Sequence, residues 1–115
     1  MIIYVDIDET ICESPPDRDY LKAIPIKENI KKINELYYNN HTIVYWTARG
    51  SQTGIDWADI TRKQIKDWGA KCHEVRLAKP HYDVFICDKA INSNVFFNSN
   101  HKITDLLKDK RWMGE

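Results

Sequence analysis

The sequence predicts a small three-layer α/β domain of Rossmann-like type with a mainly parallel sheet. Three observations carry that prediction. The chain opens on an apolar run, Ile2-Ile3-Tyr4-Val5, that stops in acidic residues. Strand-like and helix-like periodicities then alternate along the chain. The strand patterns at 2–6, 42–46 and 82–87 each give way to polar residues at their carboxyl ends. At 115 residues the chain is sized for a single domain, 1–115, with no room for a second.

The first run is nearly continuous in apolar residues, so it reads as a strand buried on both faces and ending at Asp6. Residues 12–25 carry Pro15-Pro16, Asp17, Arg18, Asp19 and Pro25 and follow neither period. They read as a long loop holding at most one short helical turn, of the kind that frames sites in small domains. Ile26, Ile30, Ile33 and Leu36 recur three or four apart among Lys and Asn, which predicts an amphipathic helix over 27–38 with Pro25 at its approach. Asn39-Asn40 ends it. Thr42-Ile43-Val44-Tyr45-Trp46 is then a β-branched and aromatic strand feeding Thr47-Ala48-Arg49-Gly50. A helix joining two such strands implies a parallel pair with a right-handed crossover.

A polar loop at 50–54 leads to a second helix over 56–68, with Trp57, Ile60, Ile65 and Trp68 on one side and Gly69 as its stop. Residues 74–77 suit a short strand. Tyr82-Asp83-Val84-Phe85-Ile86-Cys87 predicts another, ending at Asp88. Val95-Phe96-Phe97 forms an apolar patch before a last helix over 102–110, whose inner face is Ile103, Leu106 and Leu107.

Hydrophobic residues at 43% and charged residues at 30% describe a globular chain rather than a disordered one. Lys plus Arg and Asp plus Glu each number 17, so no basic excess exists to condense on nucleic acid or anionic lipid. No apolar run approaches the length of a membrane span and no basic leader opens the chain, so a cytoplasmic protein without a membrane partner is expected. Cys12, Cys72 and Cys87 lack the spacing of a disulfide framework or a zinc site and suit a reducing compartment.

Ligands of parallel sheets sit beyond the carboxyl ends of the strands. That rule collects Asp6, Asp8, Thr47 and Asp88 at one edge, with Lys79 in a loop nearby. Two carboxylates one residue apart repel unless a cation or a shared proton compensates. A hard divalent ion such as Mg2+ fits, because it takes carboxylate and carbonyl oxygens and keeps waters for a phosphate. With Lys79 and Arg49 added, the set suits a phosphoryl dianion. The competing reading makes Asp6 and Asp8 a turn or a helix cap. Arg49 either reaches substrate or bridges a carboxylate to fix its loop, and Cys87 reads as a small buried residue.

Asp6-Ile7-Asp8-Glu9-Thr10 after a hydrophobic strand resembles the DxDx[TV] signature of the haloacid dehalogenase superfamily. Counterparts of its later motifs follow in order: Val44-Tyr45-Trp46-Thr47-Ala48-Arg49, then Lys79-Pro80, then Asp88. The likeness runs from Met1 to about Asn94 and implies a phosphatase. It would make Asp6 the nucleophile and Asp8 the general acid and base. It would place Mg2+ on Asp6, the backbone carbonyl of Asp8, and Asp88. Thr47, Ala48 and Arg49, with neighbouring N–H groups, would hold phosphoryl oxygens while Lys79 balances charge in the transition state.

Two residues depart from the pattern. Glu9 stands where many members carry Gly, and either reshapes the loop or faces solvent. Cys87 stands where many carry a second Asp, which weakens the metal shell. The chain has no room for the superfamily's cap domain, which implies an open site. The runs 79–83 and 87–92 look most like small phosphatases of capsule or surface-polysaccharide biosynthesis, so a phosphorylated sugar or related small metabolite is the expected substrate. One alternative is a nucleic-acid 3′-end phosphatase, disfavoured by the neutral charge. Another is a catalytically weak phosphate-binding module acting through a partner, which Glu9 and Cys87 motivate. Tyr37-Tyr38, Val95-Phe96-Phe97 and Trp112-Met113 suit either a subunit interface or local packing, and a homo-oligomer is expected.

Overall fold

The computed structural model describes residues 1–99, 102, 103 and 106. They divide into two units, Met1–His81 and Tyr82–Glu115. In chain order the first unit contains β1 (Ile2–Asp6), β2 (Cys12–Glu13), β3 (Ile24–Pro25), α1 (Lys27–Tyr38), β4 (Thr42–Trp46), α2 (Ala58–Asp67) and β5 (Glu74–Arg76). Its sheet has the order β1-β4-β5 and is parallel throughout. The class is the one expected, a Rossmann-like three-layer α/β domain with a mainly parallel core sheet and no large cap insertion.

β4 is the central strand, and its β-branched and aromatic residues Ile43, Val44 and Tyr45 are buried. The register sets Asp6 opposite Trp46 and Trp46 opposite Arg76, so the three strands end along one line. α1 and β4 are linked by a tight cap. Asn40 takes a left-handed φ of 70°, and the His41 N–H then reaches the Leu36 carbonyl at 3.1 Å. Ile30 and Ile33 form the buried stripe of α1. α2 starts two residues later than its periodicity suggests, because the Asp56 carboxylate accepts the Ala58 N–H at 2.9 Å and fixes the helical entry there. Asn34 on α1 ties the end of α2 in place, donating to the Gly69 carbonyl at 2.9 Å and accepting the Lys71 N–H at 2.8 Å.

Residues 12–25 hold more order than a loop. β2 and β3 pair antiparallel, Cys12 opposite Pro25 and Glu13 opposite Ile24, and residues 20–22 form the short helical turn. Two-residue strands carry no periodicity, which is why the pattern concealed them.

β1 is not buried on both faces. It lies at the edge of the three-stranded sheet, with Val5 buried and Ile2, Tyr4 and Asp6 exposed. The predicted strand at 82–87 is also corrected: no strand forms there, and Val84, Phe85 and Ile86 stand exposed, Ile86 at 95%. β-propensity expresses a fit to a paired, half-buried surface, and this segment has no ladder partner among the described residues. Cys87 is consequently exposed rather than buried.

In the second unit, α3 (Ser93–Phe97) occupies the apolar patch. Asn92 caps it by accepting the Asn94 N–H at 2.9 Å, and Phe96 is buried with Phe97 edge-on at 5.1 Å. Ile103 and Leu106 are helical, with the Leu106 N–H donating to the Lys102 carbonyl at 3.2 Å. The rest of the predicted last helix, Leu107 included, lies outside the described residues, as do Trp112 and Met113. No helix among the described residues is long and apolar enough to cross a membrane.

Candidate active site

Beyond Asp6 the chain turns sharply, with the Ile11 N–H donating to the Ile7 carbonyl at 2.9 Å and the Glu9 N–H to the Cys12 carbonyl at 2.9 Å. Ile7, Ile11 and Cys12 are fully buried, so this turn is anchored by apolar packing rather than left mobile. Glu9 sits at its tip with a left-handed φ of 62°, a conformation that disfavours any residue but Gly by roughly 1 kcal/mol. Its side chain faces out, accepting the Ser14 N–H at 3.2 Å and standing 3.8 Å from Arg18. The extra charge at this position therefore points to solvent.

Asp8 is gripped from several sides. Arg49 Nη2 lies 2.9 Å from Oδ1 and Nε 3.0 Å from Oδ2, Ser14 Oγ donates to Oδ1 at 2.7 Å, and the Cys12 thiol donates to Oδ1 at 3.4 Å. The remaining Arg49 nitrogen, Nη1, donates to Thr61 Oγ1 at 3.1 Å and Gln64 Oε1 at 2.6 Å on α2. The Arg49 side chain is fully buried and that of Asp8 is 14% exposed, so this is an interior ion pair. Of the two roles open to Arg49, the structure displays the carboxylate bridge. Burial pushes the Asp8 carboxyl up, but the Arg49 hydrogen bonds and charge, with Ser14 and Cys12, outweigh it and hold the group below the ordinary carboxylate range.

Asp6 has the opposite balance. Burial raises it, the Asp8 charge adds to the rise, and the Lys79 charge and the Ile7 N–H only partly compensate. Lys79 Nζ stands 3.5 Å from Asp6 Oδ1 and 5.7 Å from the centre of the Trp46 ring. Lys79 follows Ala78, another non-glycine residue in left-handed backbone, with φ 64°. Its N–H donates to the Thr47 carbonyl at 3.1 Å, which carries its loop to the end of β4. Thr47 itself is 1% exposed, and its hydroxyl accepts the Arg49 N–H at 3.1 Å. As placed, that hydroxyl shapes the loop that presents Arg49, with the half-buried Ala48 between them.

The first unit thus brings Asp6, Asp8, Thr47, Ala48, Arg49 and Lys79 to one sheet edge. Asp88 lies in a turn of the second unit, exposed, rather than at a strand end. Ser14, Thr61 and Gln64 were not singled out by their sequence. Thr61 had a signal: it lies four residues from both Trp57 and Ile65, a polar residue on the apolar side of α2, and it is completely buried.

No group of three or more His, Cys, Asp or Glu side chains gathers in the manner of a metal cluster among the described residues. The donor chemistry nonetheless suits a hard cation. Asp6 presents a carboxylate at the sheet edge, separated by one residue from Asp8, and carboxylate oxygens are the donors such an ion takes.

Gly50 has φ 80°, and a Cβ there would run into the Ile55 carbonyl oxygen, whereas Gly54, with φ 75°, has open space around it. Gly50→Ala is expected to lower stability by about 2 kcal/mol or more and Gly54→Ala by only about 1 kcal/mol; urea unfolding of the two variants measures the difference. Burial and the adjacent Asp8 push the Cys12 thiol up to about 12, while Cys87 is exposed. At pH 8 only about 10⁻⁴ of Cys12 is thiolate, so a thiol reagent should label Cys87 in the native protein and reach Cys12 only on unfolding.

No family model matches this sequence, and no curated protein does. Among solved structures, the chain is similar to a crystallised MCSG target from Vibrio cholerae, with TM-score 0.82, 24% identity, and coverage of 96% of this chain and 99% of that one. That likeness establishes the fold: a small α/β domain of Rossmann-like topology, an architecture that also carries enzymes.

Proposed function

We propose that this protein is a phosphomonoester hydrolase of haloacid dehalogenase type, acting through an aspartyl-phosphate on Asp6, on a phosphorylated sugar or related small metabolite, with Mg2+ as its metal. The observation that carries the reading is the approach of Lys79 Nζ to 3.5 Å from Asp6 at the carboxyl edge of the sheet, beside Asp8. Residues distant in sequence converge where an α/β sheet binds ligands. Glu9 and Ala78, both held in left-handed backbone next to Asp8 and Lys79, support it further, since such strain collects at functional sites.

In this mechanism an Asp6 carboxylate oxygen attacks phosphorus in line. The bond from phosphorus to the leaving oxygen breaks, and that oxygen takes a proton from Asp8. Water then attacks the phosphorus of the aspartyl-phosphate, Asp8 takes the water's proton, and the bond to Asp6 breaks to free phosphate. Lys79 offsets the charge that gathers on the phosphoryl oxygens. Asp6 and the Asp8 carbonyl are the residues of the first unit that would hold Mg2+. When bound, the ion supplies positive charge that eases the approach of the anionic nucleophile to the phosphoryl group.

Arg49 favours ionised Asp8, which suits the water-activating half of the cycle and opposes the proton-donating half. That clamp is the specific observation behind a second reading, a phosphate-binding module with little turnover. Phosphate release from sugar phosphates, nucleotides and 3′-phosphorylated oligonucleotides, measured with and without Mg2+, separates them. Metal-dependent release, greatest on a sugar phosphate, is the expected result. Phosphate binding without release selects the module, and neither activity overturns both readings.

A further inference from the structure

The loops 50–57 and 77–81 flank an open-mouthed cavity of about 420 Å3, within the size range of small-molecule sites. Arg49 borders it, as do Ala78 and Pro80, the two neighbours of Lys79. It therefore lies against Arg49, which grips Asp8, and against the chain on either side of Lys79. Trp57 and Leu77 give it apolar wall; Ser51, Asp56 and His81 give it polar groups.

Its electrostatics are one-sided. Each N–H of the Arg49 guanidinium already has a partner: Asp8 for Nε and Nη2, Thr61 and Gln64 for Nη1, and the Cys12 sulfur at 3.9 Å for the second Nη2 hydrogen. Arg49 lines the cavity without a donor to offer it. Asp56 uses Oδ1 to accept the Ala58 N–H at 2.9 Å, which leaves Oδ2 to accept from a ligand. Ser51 donates its hydroxyl hydrogen to the Lys79 carbonyl at 2.7 Å and keeps lone pairs as acceptors. Of the Asp, Glu, Lys and Arg side chains of its wall, Arg49 is paired with Asp8 and Asp56 has no ion-pair partner among the described residues. Acceptors of this kind hold sugar or polyol hydroxyls, and the carboxylate repels a second phosphate.

Resting on the phosphatase reading above, we infer that this cavity receives the leaving group, and that the group is neutral and rich in hydroxyls. Asp56 is then the residue that selects a monophosphorylated sugar or polyol over a bisphosphate or a nucleic-acid end.

The test compares kcat/KM for a hexose monophosphate, the corresponding hexose bisphosphate and a 3′-phosphorylated oligonucleotide, with para-nitrophenyl phosphate as a substrate whose flat leaving group offers no such hydroxyls. The wild type should favour the monophosphate over the bisphosphate by at least about tenfold. Asp56→Asn, which retains the capping oxygen, should shrink that ratio at least about fivefold, mainly through KM. Ser51→Ala should raise KM for the monophosphate without moving the ratio against the bisphosphate as far. An unchanged ratio in Asp56→Asn, or a wild-type preference for the bisphosphate or the oligonucleotide, overturns the cavity assignment while para-nitrophenyl phosphate turnover upholds the phosphatase. Absence of release from all four substrates overturns the phosphatase reading and this inference with it.

Discussion

On the proposed aspartyl-phosphate mechanism, Asp6→Asn is expected to cut metal-dependent phosphate release by at least about 10³-fold, because an amide could not form the covalent intermediate. Folding should scarcely change. The Asp6 side chain is 44% exposed and its ion pair with Lys79, at 3.5 Å, is of the partly exposed kind that contributes about 1 kcal/mol or less. Partial burial and the neighbouring Asp8 charge both disfavour its ionised form, so the neutral amide introduces no new electrostatic penalty. The variant should therefore unfold within about 1 kcal/mol of the wild type while its turnover disappears. Release within tenfold of the wild type would remove Asp6 from the role of nucleophile.

Arg49→Met is expected to cost about 3–5 kcal/mol of stability, the largest structural effect of any single substitution at this site. Met fills part of the volume, yet it leaves the Asp8 carboxylate without its counter-charge, and Thr61 and Gln64 without the donor they share. Asp8→Asn in the same chain should recover part of the loss, because the stranded charge is then gone. The pH dependence has a definite sign. The folded-state affinity of Asp8 for a proton is depressed, so the stabilisation is complete above the ordinary carboxylate pKa and fades as pH falls through the lower folded value. The stability gap between wild type and Arg49→Met should accordingly narrow in acid. Urea midpoints from pH 7 to pH 3 measure it, and a gap that stays constant or widens would deny that Asp8 is the group responsible.

The helix over about 27–38 was legible in the sequence, since an amphipathic stripe that includes Ile30 and Ile33 is bounded by Pro25 and Asn39-Asn40. Strands β1 and β4 were equally plain, and with them the positions of Asp6, Asp8 and Thr47 at strand ends. The segment 82–87 shows the limit. Its residues prefer extended backbone, but a strand exists only with a partner, and pairing is a property of the whole chain. Cys87 and Asp88 were assigned surroundings that depended on that strand, so both assignments moved with it.

Local periodicity and polarity, read one window at a time, reveal β1, α1 and β4 and the polar residues Asp6, Asp8 and Thr47 that follow the strands. The fold alone shows that Arg49 closes directly on Asp8 while Ser14 donates to Asp8 and Thr61 and Gln64 accept from Arg49, that the Thr47 hydroxyl turns inward, and that Asp56 and Trp57 wall a cavity beside Arg49. Those facts depend on side-chain direction and on contacts between residues far apart in the chain, and neither is fixed until burial and hydrogen bonding have chosen one arrangement from many.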